Sequence, residues 1–233
     1  MIEGHSQFAR WHIYPTVDDL AARVALAIER MAADAIEDHR AFRIVLAGGS
    51  TPRLIYQRLR DIHTDWKAWY VYYGDERCLP RSSAERNSRM AEEAWLSHAP
   101  IPPAQIFTIP AELDPDEAVV LYERMISGVD QFDLVLLGLG EDGHTASLFP
   151  KHDWGDKPDS PMVLAVHDAP KPPSNRISLS AWRLSKARKV MFLVTGTSKQ
   201  EAVVRWRHGE HIPAASICPL NAVDVMVDNS AFP

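Results

Sequence analysis

The sequence predicts a single α/β domain over residues 1–233, with a mainly parallel sheet covered by helices on both faces. Its strand candidates are continuous apolar runs such as FDLVLLG, which are typical of strands buried on both faces of a parallel sheet. These runs alternate with segments whose apolar residues recur at helical spacing. The length suits one domain, and no internal repeat or low-complexity linker divides the sequence.

The first elements show how each segment is assigned. Apolar residues at helical spacing from Val17, with two aspartates in the first turn, predict a helix, and no strand is predicted before it. FRIVLAGG (42–49) predicts a buried strand closed by glycines. STPRLIYQRLRD then predicts a helix, with Ser50 or Thr51 as its cap and Pro52 at the first helical position.

The remaining elements continue the alternation. Strands are predicted at 69–77, 132–138, 162–168, 176–184, 189–196 and 221–228, with a brief extended piece in the proline-rich segment 100–110. Helices are predicted at 83–98, 114–128 and 197–209. This order of elements predicts a Rossmann-like sheet.

Composition excludes several classes of function. The net charge of −6 and the pI of about 5.9 argue against a nucleic-acid partner, which usually requires a basic face. No apolar run approaches the length of about 18 residues that a membrane span needs, and MIEGHSQFARWHIYP does not resemble a signal peptide. We therefore expect a soluble cytoplasmic protein. Two cysteines and scattered histidines form no metal-binding motif, so no metal site is expected.

The segments that leave the predicted strands carry most of the residues suited to chemistry. They read AGGST, GDER, GLGEDGH and TGTSK. In open parallel sheets, ligands bind beyond the carboxyl ends of the strands. The sequence therefore predicts a functional site formed by these four segments.

The third segment contains Gly138, Gly140 and Gly143 in the spacing G-x-G-x-x-G of dinucleotide-binding loops. A dinucleotide loop needs a long helix after the third glycine and an acidic residue about 20 positions later. Pro150 prevents such a helix, and no strand is predicted at the required distance. A tight strand-to-helix turn is the alternative interpretation of the glycines, and the cofactor interpretation is disfavoured.

His144 follows the last of these glycines directly. An imidazole titrates near neutral pH, so it can take a proton from water and return it to a leaving group. Asp142, two residues away, could orient the ring or stabilise its charge. The alternative is that His144 only caps the turn, and spacing alone does not decide between them.

The first and fourth segments are candidates for binding an anion. Gly48, Gly49, Ser50 and Thr51 precede or begin a predicted helix, whose N-terminal N–H groups and dipole favour negative charge. An ordinary capped loop explains the same residues equally well. Lys199 lies in the first turn of another predicted helix, where its charge opposes the helix dipole unless an anion lies beside it.

Further charged residues occur at other strand ends. Arg176 opens a strand after a proline-rich loop and could bind the same anion as Lys199. In GDER, Asp75 could act on a substrate or hold a loop, and Arg77 could pair with Glu76 or with an anion. Each of these charges, taken alone, is more often a solvated surface group.

Taken together, the segments LAGGSTPRLIYQRL, YYGDERCLP, NSRMAEEAWL, FDLVLLGLGEDGHTASLFP, RISLS and VTGTSKQEAV closely resemble the 6-phosphogluconolactonases. The resemblance runs from about residue 40 to residue 207. That family is similar to the glucosamine-6-phosphate deaminases. This sequence has Arg77 where the deaminases carry tyrosine, and its segment TASLFP (145–150) lacks their Asn-Glu pair. Both departures favour the lactonase.

The resemblance implies hydrolysis of a phosphorylated sugar lactone, 6-phospho-D-glucono-1,5-lactone, without metal or cofactor, as the second step of the oxidative pentose phosphate pathway. It implies that His144 is the general base and then the acid, supported by Asp142. It also implies that the Gly48–Thr51 loop, Arg176 and Lys199 hold the phosphate. Asp75 matches a carboxylate that moves a proton in the deaminases, so its role in a lactonase is less defined.

The resemblance leaves several questions open. Many relatives read Ser-Asn at positions where this chain has Arg86 and Asn87, so Arg86 either replaces a serine contact or turns outward. The alternatives to a lactonase are a deaminase-like sugar-phosphate isomerase and a sugar-phosphate-binding module without catalysis. The oligomeric state, the selectivity between δ- and γ-lactone, and the N–H groups of an oxyanion site are not determined by the sequence.

Overall fold

The computed structural model describes residues 7–233. The expectations that concern the N-terminal segment, the absence of a signal peptide and the extent of the domain to residue 1, lie partly outside the described residues. In chain order the elements are β1 (Ala9–Tyr14), α1 (Val17–His39), β2 (Phe42–Leu46), α2 (Ser50–Arg58), β3 (Trp69–Tyr73), β4 (Asp75–Arg77), α3 (Asn87–Ala94), β5 (Ile106–Phe107), α4 (Pro115–Ile126), β6 (Phe132–Gly138), β7 (Val163–Val166), β8 (Arg176–Leu179), α5 (Ala181–Ser185), β9 (Ala187–Val194), α6 (Gln200–Arg207) and β10 (Val223–Asp228).

Seven strands form one sheet in the order β1-β10-β9-β6-β2-β3-β5. Every neighbouring pair in this sheet is parallel. Strands β6 and β10 are buried along almost their whole length, and successive side chains of a strand point to opposite faces. Both faces of the sheet are therefore covered, which confirms the predicted fold class.

The strand order reverses direction between β2 and β6. From β2 the chain proceeds through β3 to β5 at one edge, and it then returns to place β6 on the other side of β2. A crevice forms at the carboxyl ends of the strands where such a reversal occurs. The loops after β2 and β6, Ala47–Gly49 and the segment from Leu139, flank this crevice.

A second sheet was not predicted. Its three antiparallel strands are ordered β4-β8-β7. The prediction of one strand over 69–77 is wrong, because Gly74 separates β3 in the large sheet from β4 in the small one. The Gly74 N–H donates to the Leu46 carbonyl of the large sheet, and its carbonyl accepts from Leu179 of the small sheet.

Two further predictions about elements are wrong. The chain begins its sheet with β1 before the first helix, as an edge strand whose residues are mostly half-buried or exposed. The segment predicted as one strand over 176–184 becomes a helix at Ala181, because the Ser180 side chain caps that helix by accepting from the Arg183 N–H. Within residues 7–233, no helix is long and apolar enough to cross a membrane.

Candidate active site

A cavity of about 300 Å³ opens at the crevice between β2 and β6. Its size is at the small end of the range for ligand sites. The loops that follow β2, β3 and β6 contribute to its wall, as the sequence predicts from the geometry of a parallel sheet. The side chains and loop residues of interest that line it are Gly48, Gly49, Asp75, Arg77, Asn87, Gly138, Gly140, His144, Lys171, Arg176 and Lys199.

Most of the predicted site residues meet in this cavity, and three do not line it. Asp142 lies behind His144 and contacts its ring. Ser50 is exposed at the start of α2. Thr51 is buried, and its hydroxyl is 2.6 Å from the Thr195 hydroxyl, so it joins the first turn of α2 to the loop after β9. The helix cap is Gly49 rather than the predicted Ser50 or Thr51.

Asp142 fixes the protonation pattern of His144. The Asp142 Oδ1 lies 2.5 Å from Nδ1 of the ring and also accepts the His144 N–H at 3.2 Å. An ionised carboxylate can only accept hydrogen bonds, so Nδ1 must carry the proton. In the neutral imidazole, Nε2 is then unprotonated and able to act as a base.

The pKa values of this pair support the same assignment. Burial lowers the pKa of His144 below its ordinary value, and the hydrogen bond and charge of Asp142 oppose that shift only in part. Burial alone would raise the pKa of Asp142, but its hydrogen bond and charge interaction with His144 lower it overall. Near neutral pH the site therefore holds a neutral imidazole beside a carboxylate.

Two of the three glycines in the G-x-G-x-x-G segment are explained by their surroundings. A Cβ on Gly140 would overlap Nδ1 of His144, so the ring packs directly on the glycine backbone. Gly143 has φ +86°, a conformation that side chains disfavour, and its Cβ would press on Ile212. No helix follows β6 before β7. The strand-to-helix turn is thus wrong, and the context of a dinucleotide loop is absent from this segment.

Replacing Gly140 with alanine is expected to lower kcat by about 10²-fold, because the new methyl group displaces the His144 ring from Asp142. Gly128→Ala is the matched control, since a Cβ there would meet no atom within 4 Å and Gly128 does not line the cavity. Thermal unfolding of both variants and the NMR signals of the His144 ring would separate the two effects. A Gly140→Ala ring with unchanged signals would contradict this account of the glycine.

Asp75 connects three parts of the site. Its carboxylate accepts from the Ser147 hydroxyl at 2.6 Å and from the Asn87 side-chain amide at 3.0 Å. Asn87 in turn packs against the backbone of Gly48, where a Cβ would overlap its amide. Asp75 is nearly buried but lines the cavity. It therefore holds the loops after β2 and β6 together and also faces the site.

Glu76, the next residue in sequence, and the more distant Arg86 stabilise the loop between β4 and α3. Glu76 is fully buried and accepts from the N–H groups of Asn87 and Ser88, which begin α3. Arg86 is buried, donates to Glu112 at 2.8 Å and to the Ile109 carbonyl at 2.8 Å, and does not line the cavity. Arg86 thus neither takes the place of a substrate contact nor turns outward.

Two arginines lie opposite each other on neighbouring strands of the small sheet, beside the cavity. Arg77 and Arg176 are directly opposed in the register of β4 and β8, and both line the cavity. Like charges opposed across strands are unfavourable unless another group compensates them. Burial lowers the pKa of Arg176; Asp75 opposes that shift and Arg77 adds to it. Arg77 donates to the Glu85 carbonyl, and its Nε is buried without a hydrogen-bond partner in the described structure.

Lys199 ends a 3₁₀ turn, Thr197–Lys199, that leads into α6. Burial lowers the pKa of its ammonium; Glu141 raises it, and Lys171 lowers it further. Sequence reasoning did not identify Lys171, Asn87 or Ser147 as site residues. Asn87 and Ser147 lie inside the segments that carry the family resemblance, whereas Lys171 lies in a proline-rich loop with no motif. Among residues 7–233, no group of three or more His, Cys, Asp or Glu side chains could hold a metal ion.

Comparison with known proteins defines the family. A family model described as glucosamine-6-phosphate isomerases/6-phosphogluconolactonase matches residues 15–226. The chain therefore belongs to this family.

Individual relatives agree with that assignment. The 6-phosphogluconolactonase of Mycobacterium leprae is 36% identical over 197 residues, which is 77% of each protein. The chloroplastic 6-phosphogluconolactonase 3 of Arabidopsis thaliana is 30% identical over 217 residues, 86% of this chain and 66% of the relative. Among solved structures, the 6-phosphogluconolactonase of Thermotoga maritima has a TM-score of 0.88 at 27% identity, covering 95% of this chain and all of its own.

The fold alone does not separate the two branches of the family. A monomeric glucosamine-6-phosphate deaminase has a TM-score of 0.80 at 20% identity, over 95% of this chain and 98% of its own. Since the backbone is shared, the residues within the cavity must decide between the two reactions.

Proposed function

We propose that this chain hydrolyses 6-phospho-D-glucono-1,5-lactone to 6-phosphogluconate. The observation that carries the proposal is the neutral imidazole of His144, held by Asp142 at the edge of a cavity lined by cationic side chains. The names of the relatives at 30% and 36% identity support it.

In the proposed reaction, Nε2 of His144 takes a proton from water while the water oxygen bonds to the lactone carbonyl carbon. The tetrahedral intermediate then expels the ring oxygen, which receives the proton from the imidazolium. The products are the carboxylic acid, which ionises, and a hydroxyl group. A lactone is an activated ester, so no covalent nucleophile is required.

The Asp142 carboxylate stabilises the imidazolium that forms between these two proton transfers. Asp75 lies in the same cavity, and its charge acts on His144 by raising its pKa. We assign Asp75 the role of fixing the loops around the substrate, through Ser147 and Asn87.

The phosphate is proposed to bind at the opposite part of the cavity from the reacting carbonyl. The N-terminus of α2, with Gly48, Gly49, Ser50 and Thr51, offers backbone N–H groups and the positive end of the helix dipole. Arg77, Arg176 and Lys199 supply positive charge. Binding energy gained at the phosphate holds the lactone carbon in place for attack.

The proposed setting follows the same resemblance: the second step of the oxidative pentose phosphate pathway, in the cytoplasm, without metal, cofactor or nucleic acid. These statements stay predictions.

The test is an assay of acid release from freshly prepared lactone, corrected for spontaneous hydrolysis. Catalysed release supports the proposal. Ammonia release from glucosamine 6-phosphate would instead indicate the deaminase, against which Arg77 and the segment 145–150 argue. Calorimetric binding of 6-phosphogluconate without turnover of either substrate would indicate a binding module.

The activity is expected to fall at acid pH with an apparent pKa below the ordinary histidine value of 6.5. Burial disfavours the imidazolium, so the neutral base persists to lower pH than in an exposed histidine. Sugar phosphates also titrate near pH 6, so the ring of His144 should be followed directly by NMR in the protein without substrate. A pKa of His144 at or above 6.5 would contradict the arrangement described here.

A further inference from the structure

Lys171 is a cation of the cavity that the mechanism above does not use. It lies near the tip of the loop between β7 and β8, which the Ala169 N–H closes by donating to the Ser174 carbonyl at 2.9 Å. The side chain is exposed to solvent and lines the cavity. An exposed lysine is ordinarily a solvated charge, so a role in the cavity requires that its backbone be held in place.

Arg176 holds the backbone of this loop in place. Its Nη2 donates to the carbonyls of Lys171 at 3.1 Å and Pro172 at 3.0 Å, and its Nε donates to the Pro173 carbonyl at 3.2 Å. The guanidinium is almost fully buried. Of its three nitrogens, only Nη1 makes no hydrogen bond within the described part of the chain. A buried arginine thus fixes the Cα position from which the Lys171 side chain extends.

The same loop is anchored to the catalytic histidine. The Arg176 guanidinium lies over the Phe149 ring at 5.6 Å, and that ring lies 4.7 Å from the His144 ring. Phe149 also packs with Val166 and Ala169 at the base of the loop. Two consecutive prolines further restrict the backbone after Lys171. The position of Lys171 relative to His144 is therefore set by packing.

The charges of the cavity are unbalanced. Arg77, Lys171, Arg176 and Lys199 line it, and Asp75 is the carboxylate among the described lining residues. After burial, which is the main cause, the charge of Lys171 further lowers the pKa of Lys199. Two ammonium groups that repel each other in this way are stabilised when an anion binds between them.

We propose that Lys171 binds the phosphate group of the substrate together with Lys199. This inference rests on the proposed function, because it assumes a phosphorylated lactone in the cavity. A lysine acts on phosphate as a mobile point charge, so an exposed ammonium on a fixed backbone can approach the dianion as it enters. Nη1 of Arg176 is available to donate to the same anion, while Nε and Nη2 donate to the carbonyls of the loop.

The experiment compares Lys171→Met, Lys171→Arg and the control Lys157→Met, which removes an exposed lysine outside the cavity lining. Calorimetry with 6-phosphogluconate should show about tenfold weaker binding for Lys171→Met, partial recovery for Lys171→Arg and no change for the control. Binding of gluconate, which has no phosphate, should be unaffected in all three. For the phosphorylated lactone, KM should rise while kcat changes little.

Two results would overturn the inference. Equal affinity of wild type and Lys171→Met for 6-phosphogluconate would make Lys171 a solvated charge. A fall in kcat with unchanged binding would place its action at the reacting carbonyl. The proposed function is tested separately by turnover in the wild type: a protein that binds 6-phosphogluconate through Lys171 but hydrolyses no lactone would retain the phosphate site and lose the lactonase assignment.

Discussion

Replacing His144 with alanine is expected to reduce kcat for lactone hydrolysis by about 10²–10⁴-fold, the usual contribution of a positioned general base. The variant loses the group that accepts the proton from water and the group that returns it to the ring oxygen. KM should change much less, because the cationic residues that are proposed to bind phosphate remain. The measurement is initial acid release at several substrate concentrations, with the spontaneous rate subtracted.

His208→Ala is the matched control, since His208 is exposed at the end of α6 and does not line the cavity. It should retain wild-type kcat. Far-UV circular dichroism and thermal unfolding should show that the His144 variant is folded. If folded His144→Ala kept kcat within about threefold of wild type, the imidazole would not be the base.

The large sheet could be predicted because the apolar composition of its central strands indicates that they are buried. Residues 132–138 form a continuous apolar run, and the structure buries all of them except Gly138, which is half-buried. The edge strand β1 has no such signal. Its side chains are half-buried or exposed, and the strand it pairs with among residues 7–233, β10, lies more than 200 residues later in the chain.

The small antiparallel sheet depends on contacts that local sequence does not encode. Whether WYVYYGDER continues in one sheet or divides at Gly74 is decided by β8, which pairs with Asp75–Arg77 from about a hundred residues away. The apolar pattern of the segment is the same in both cases. A glycine in a strand indicates a bend, but it does not identify the new partner.

The residues of the candidate site also fall into those that local sequence predicts and those that long-range contacts place. Residues next to strand ends, such as His144 and Asp75, could be placed because the edge of a parallel sheet gathers them. Lys171 could not be placed in this way, since it follows β7 of the second sheet. Its loop is held at the cavity by long-range packing and by the hydrogen bonds of Arg176. Arg176 was itself identified, but its role in holding that loop required the structure.

Replacing Asp142 with alanine is the second change with a large expected effect, a fall in kcat of about 10²–10⁴-fold. The carboxylate accepts hydrogen bonds from the ring Nδ1–H and from the backbone N–H of His144. Without it, neither the tautomer nor the orientation of the ring is fixed. It also removes a charge that raises the pKa of His144 against the effect of burial. The acid limb of kcat should therefore move to lower pH while the plateau falls.

These two consequences separate Asp142 from a residue that only stabilises the loop. Asp142→Asn keeps an oxygen that can accept a hydrogen bond from Nδ1–H but loses the charge. Its kcat should therefore lie above that of Asp142→Ala, while the pKa of His144 should stay below the wild-type value, as in Asp142→Ala. Glu141→Ala, which removes an exposed carboxylate at the preceding position, should shift neither quantity appreciably. The pKa of His144 is read from its ring signals by NMR, and kcat from acid release. A loss of kcat in Asp142→Ala with an unmoved pKa of His144 would mean that the carboxylate acts by holding the turn, because the loss of its charge must shift the imidazole titration if the two groups are coupled.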